Sequence, residues 1–154
     1  MNTVKQFPTS EKPDVVIGGE PPVLVPSGLY DLSYSYHETK LYGSGQAPKV
    51  VIWFKIMGPQ HRDIELACYY AVESLCGKPK KYGRFRLAGY NSHFLRDYVS
   101  VLGKPDRWDR ITPRHYEGRI IQGEVITVTT GWDKQDIPLA LQYSTIKSIV
   151  WLIE

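Results

Sequence analysis

The stretch KVVIWFKIM, Lys49 to Met57, places Lys49, Val51, Trp53, Lys55 and Met57 on one parity and Val50, Ile52, Phe54 and Ile56 on the other. Successive side chains of a strand point to opposite faces. One face is then pure core, and the other shows a cation, an indole and a second cation. The run IELACYYAVESL repeats the pattern, with Tyr69 on the parity of Glu65, Ala67, Ala71 and Glu73. Aromatic rings stack nucleobases and lysines hold phosphates, a combination that grips single strands with little sequence preference. Each stacked base contributes roughly 1–3 kcal/mol. The same chemistry recurs in KPKKYGRFR, where Lys78, Lys80, Lys81, Arg84 and Arg86 interleave with Tyr82 and Phe85. It recurs again in GWDKQDIP, which carries Trp132 and Lys134. Plainer readings stand beside these. Trp53 can be covered by an N-terminal arm or a second copy, the basic segment can be a solvated loop, and Trp132 can fold back as a lid.

Enzymatic constellations are not legible. His37, His61, His93 and His115 are scattered, with no HExxH pair, and neither a GxSxG elbow nor a P-loop occurs. Gly43 to Gly45, GSG, lacks the sequel of a nucleotide motif and reads as a hairpin turn. Asp63 and Glu65 could hold magnesium in a nuclease, but such a pair on its own reads as strand-edge charge. The expectation is a protein without catalytic activity, cofactor or metal. Cys68 lies in an apolar run and reads as a buried thiol. Neither Cys68 nor Cys76 belongs to a paired zinc motif, and two cysteines are few for a secreted scaffold.

The elements that must position these residues follow from period and punctuation. Pro8, Pro13, Pro21, Pro22 and Pro26 make residues 1–26 an extended arm, with a short edge strand at Val15 to Ile17. GLYDLSYSYHETKLYG alternates Tyr30, Leu32, Tyr34 and Tyr36 against Asp31, Ser33, Ser35 and His37, a half-buried strand. KVVIWFKIM is the second strand and IELACYYAVESL the third. A basic insertion at 77–90 follows. NSHFLRDYVSVLGK has helical spacing at Phe94, Leu95, Tyr98, Val99 and Leu102, a cap at Asn91 or Ser92 and Gly103 at its end. TPRHYEG is one more helical turn, with Thr112 as cap, Pro113 first and Gly118 last. RIIQGEVITVTT and YSTIKSIVWLI complete five strands, and Gly123 marks a bend or bulge in the fourth. The fold class is mainly β with one or two helices. The β-β-β-α-β-β order over residues 27–154 is that of an OB-fold, a five-stranded Greek-key barrel that binds oligonucleotides on the face around strands two and three and on its L12 and L45 loops.

At 154 residues, with 42% apolar and 23% charged residues, the chain is long enough for one domain with a real core. The net charge is +3. Between Gly77 and Arg110, nine basic residues face three acidic ones, a local balance of +6 that suits an anionic partner. No run approaches the ~18 apolar residues of a membrane span. MNTVKQFPTSEKPDVV has no signal-peptide core, so a cytoplasmic protein is expected.

PSGLY (Pro26 to Tyr30), GPQHRD (Gly58 to Asp63) and YEGR (Tyr116 to Arg119), each at a strand start or turn, resemble the OB-fold single-stranded-DNA-binding proteins of phages and mobile elements. The resemblance spans roughly residues 24–153 and is one of pattern. It implies single-stranded DNA as partner, in replication or recombination. The chain departs from it at the 77–90 insertion and in having no acidic tail after the last strand. Trp53 and Tyr69 would stack bases, with Lys49, Lys55 and the Lys78-to-Arg86 cluster on phosphates. RNA suits the same chemistry, because stacking and phosphate contacts do not read the sugar. The alternative is a protein-interaction module, or inhibitor of a host factor, that uses the same aromatic face as a hot-spot patch. Exposed aromatics also fit a homodimer.

Overall fold

A computed structural model describes residues 13–131 and 133–153. Seven strands and one α-helix are formed: β1 (Gly28–Tyr42), β2 (Ala47–Ile56), β3 (Glu65–Ala71), β4 (Ser74–Cys76), β5 (Arg84–Arg86), α1 (His93–Leu102), β6 (Ile120–Val128) and β7 (Tyr143–Leu152). Three 3-10 turns cover Trp108–Arg110, Pro113–Tyr116 and Leu139–Leu141. The hydrogen-bonded order is β1–β2–β3–β7–β6, and β6 pairs back onto β1, closing the five-strand sheet into a barrel. All pairings in it are antiparallel except β3 with β7, which meet in parallel at Cys68 and Ile146. The expected mainly-β character, helix and five-strand sheet are therefore present.

The inner parity of β2 makes the core as its sequence requires. Val50, Ile52, Phe54 and Ile56 are fully buried, beside Leu32, Leu66, Tyr70, Ile121 and Val125. Burial of each such large side chain stabilises by roughly 1.5–3 kcal/mol. Helix α1 packs on β3 and β7 through Phe94, Leu95, Tyr98 and Val101. Its ends follow the sequence signals. Ser92 Oγ accepts the amide of Leu95, and Gly103 closes the last turn at φ 83°, a conformation that glycine adopts without penalty. Thr112 likewise caps the turn begun by Pro113.

Four expectations are corrected. The alternation in β1 breaks at Ser35, where the register with β2 slips between Tyr34↔Phe54 and Tyr36↔Trp53. The extra residue is a β-bulge. Leu32 and Tyr34 face inward before it, and His37 and Thr39 after it, so Tyr36 joins the outer face. The third strand ends at Ala71, and Ser74–Cys76 turns away to pair with Arg84–Arg86. The basic insertion is thus partly a hairpin. On the outer parity Val51 and Ala67 are buried, at 0% and 5% exposure, so that face is not uniformly open. Finally, Val15 to Ile17 is exposed and forms no strand. The end of the arm is tied down instead. Ser144 N–H donates to Val23 O at 2.7 Å and Val25 N–H to Ser144 Oγ at 2.8 Å, leaving Val25 buried. Among the described residues, no helix is long and apolar enough to cross a membrane.

Candidate nucleic-acid interface

Three neighbouring strands, β1, β2 and β3, bring their outward side chains into one aromatic field. Across the sheet Tyr36 faces Trp53, Trp53 faces Ala67, and Val51 faces Tyr69. The Tyr36 and Trp53 rings stack, with centroids 6.0 Å apart and planes 18° from parallel. Trp53 Nε1–H donates to Glu38 Oε2 at 3.2 Å, and the other Glu38 oxygen pairs with Lys40 Nζ at 2.8 Å. The indole is therefore fixed in orientation, and the carboxylate that fixes it is neutralised locally. On the far side of Val51, Tyr42 meets the edge of Tyr69 at 5.8 Å.

Cations border both pairs. Lys81 Nζ lies 4.7 Å from the Tyr36 centroid, and Lys49 Nζ lies 5.5 Å from that of Tyr42. Both are within cation–π range. The phenols stay protonated. Burial and then Glu38 push Tyr36 up to about 12, and burial with Tyr143 raises Tyr69. They can thus donate hydrogen bonds to phosphate or base oxygens while their rings stack.

Lys81 reaches this face because the basic segment is docked along β1. Thr39 N–H donates to Lys80 O at 3.0 Å, and Tyr82 N–H donates to His37 O at 2.8 Å. Gly83 lies so close to Thr39 that a Cβ there would collide with its hydroxyl. Tyr82 itself is held at φ 58°.

The structure thus gathers Trp53, Tyr69, Lys49 and Lys81, with Lys80 and Tyr82 next to them. The other expected residues are placed differently. Lys55 is exposed at the opposite end of β2, across from Glu65; it is six residue steps along the strand from Lys49, roughly 20 Å. Lys78 is exposed just after β4, and Arg84 is exposed on β5. Arg86 is paired with Glu73 at 3.1 Å. Phe85 turns inward, its ring edge-to-face with Phe94 at 5.4 Å, and packs against the core. Lys134 is exposed on the β6–β7 loop, and Trp132 lies outside the described residues. Tyr36, Tyr42 and Lys40 were not singled out by the sequence. For Tyr36 the cause is the bulge. Tyr42 and Lys40 share the Glu38 parity, a signal that opposing KVVIWFKIM to the preceding strand would have exposed.

Among the described residues, no group of three or more histidine, cysteine or acidic side chains is placed to hold a metal ion. Cys68 is buried and free and Cys76 is exposed and free; burial pushes the Cys68 thiol up to about 12, which keeps it unreactive. Comparison of the chain with models of protein families, with curated proteins and with solved structures finds no match.

Proposed function

We propose that this protein binds single-stranded DNA without catalysis and with little sequence preference, across the outer face of β1, β2 and β3. The observation that carries the reading is the stacked Tyr36–Trp53 pair with Lys81 over one ring, continued by Tyr42, Tyr69 and Lys49. Stacking platforms bordered by cations are what sequence-tolerant single-strand binding needs. Counting barrel strands alone, the order is first, second, third, fifth, fourth, with α1 between third and fourth. That order supports an OB-type barrel, a fold whose ligand face is the one in question. The resemblance to the proteins of phages and mobile elements adds DNA metabolism of such an element as the setting.

Fluorescence anisotropy of a labelled poly-dT of about thirty nucleotides, several OB site lengths, tests this at low and moderate salt. Binding that weakens steeply with salt and resists duplex competitor is the expected result. No binding at low salt discards the proposal. One observation favours the protein-docking alternative: Glu38 and Glu65 share the face with the lysines. In that case a partner protein binds the same face, with weak dependence on salt.

A further inference from the structure

A concave site lies beside this face, with Tyr82 between the two. Residues 82–90, the first turn of α1 and the turns at 108–114 enclose a cavity of about 580 Å³, in the usual size range of small-ligand sites. Its walls include Tyr82, Phe85, Tyr90, Phe94 and Trp108. Tyr90 and Trp108 meet edge-to-face at 5.2 Å while remaining 72% and 40% exposed. Arg84 and Arg114 line the same cavity, and neither has an ion-pair partner among the described residues. Arg114 lies over the Tyr82 ring at 4.2 Å from its centroid. The one carboxylate in the lining, Asp109, is occupied by Arg107 at 3.0 and 2.7 Å.

His37 adds a polar group to the cavity wall. It lines the cavity yet is only 3% exposed. Its Nδ1 is 2.7 Å from the Tyr34 hydroxyl. The phenol donates when the imidazole proton is on Nε2 and accepts when it is on Nδ1. Burial, then Arg114, lowers the imidazole to about 4, which keeps it neutral near pH 7. Nε2 of the ring has no hydrogen-bond partner among the described residues, and the ring lines the cavity.

We propose that this cavity is a nucleotide pocket, with a base between the aromatic walls, a polar group of the base or sugar on His37 Nε2, and phosphate oxygens on Arg114 and Arg84. A bare phosphate would not use the aromatic walls, and an apolar ligand would leave two guanidinium groups idle. Guanidinium–phosphate hydrogen bonds are among the strong, directional ones. The nucleotide can arrive free in solution or as the end of a strand. The proposal does not depend on the outer face, because none of Trp53, Tyr69 and Lys49 lines the cavity.

Amide NMR of the full chain titrated with 5′-dAMP tests it, against deoxyadenosine and inorganic phosphate. Saturable shifts of Gly83, Gly89, Trp108 and Arg114 are expected, with both controls at least about tenfold weaker. Arg114→Gln and Arg84→Gln, both at exposed positions, should each weaken 5′-dAMP by about tenfold without moving the unfolding midpoint. Trp53→Ala should leave 5′-dAMP binding unchanged. A 5′-phosphorylated oligo-dT that competes with 5′-dAMP better than its 5′-hydroxyl counterpart identifies a strand end as the source. Equal competition by the two identifies the free mononucleotide. Absence of saturable shifts, or equal affinity in both arginine variants, overturns the pocket whatever poly-dT does.

Discussion

The outer face and the cavity use the same side-chain types to different ends. On the face, the aromatic rings spend much of their surface on one another: Tyr36 on Trp53, Tyr42 on Tyr69. The indole N–H is also already taken by Glu38. What remains is a pre-oriented surface, which under the proposed function any base could meet. In the cavity the rings stand around a space, and polar groups are left over among the described residues: two guanidinium groups without carboxylate partners and an imidazole Nε2 without a hydrogen bond. Satisfied polar groups favour tolerance, because little is lost when one base replaces another. Polar groups without a protein partner favour selection, because a ligand that covers them and fails to pair them leaves their desolvation uncompensated.

Acid should separate the two regions most. His37 titrates at about 4 when folded against 6.5 in the ordinary state. The unfolded chain therefore binds the extra proton between those values, and stability is full above 6.5 and falls as pH drops toward 4. The loss attributable to His37 is on the order of 3 kcal/mol. It is read as the difference in urea midpoints between the parent and His37→Gln at pH 7 and pH 4.5. An identical pH dependence in the two proteins would mean that the buried imidazole is not neutral.

Gly83→Ala strikes what the two regions share. Its Cβ would press on Thr39 and on the Lys80 carbonyl, and Thr39 is β-branched and buried, so it cannot swing away. Such overpacking costs roughly 1–3 kcal/mol. Both Lys81 on the face and Tyr82 at the cavity should be displaced, so thermal unfolding shifts down and both binding activities weaken together. Should only one of them weaken, the docked segment is not their common support.

Trp53→Ala should weaken poly-dT by roughly 1–3 kcal/mol, while 5′-dAMP binding stays unchanged. A folded variant that keeps parental poly-dT affinity removes the face from consideration. The smallest effect expected is for Lys49→Gln. It should lower the slope of log affinity against log salt by roughly 0.7, the value for one phosphate contact on a single strand. An unchanged slope would leave Lys49 as a packing partner of Tyr42 only.

Much of the scaffold was readable because its signals are local. The alternation from Val50 to Ile56, the Ser92 cap with Gly103, and Thr112 followed by Pro113 each act within a few residues. The outward placement of Trp53 was legible for the same reason. Its partner Tyr36 was not, since one extra residue at Ser35 reverses the parity of everything after it. Three-residue strands such as β4 and β5 are too short to show a period, so the hairpin read as a loop and Phe85 as a surface residue. The cavity was invisible because His37, Tyr82 and Trp108 meet only once the segments carrying them have folded together.

The docked basic segment has one more effect, on how molecules meet. Strand β1 runs to Tyr42, but β6 accompanies it only as far as Ser33. Beyond that point the His37 carbonyl accepts from the Tyr82 amide, and the Thr39 amide donates to the Lys80 carbonyl. Lifting residues 80–83 would bare the edge of a long strand rich in tyrosine, a ready template for pairing with another chain. Loss of that cover should therefore appear first as self-association that grows with protein concentration, before it appears as unfolding.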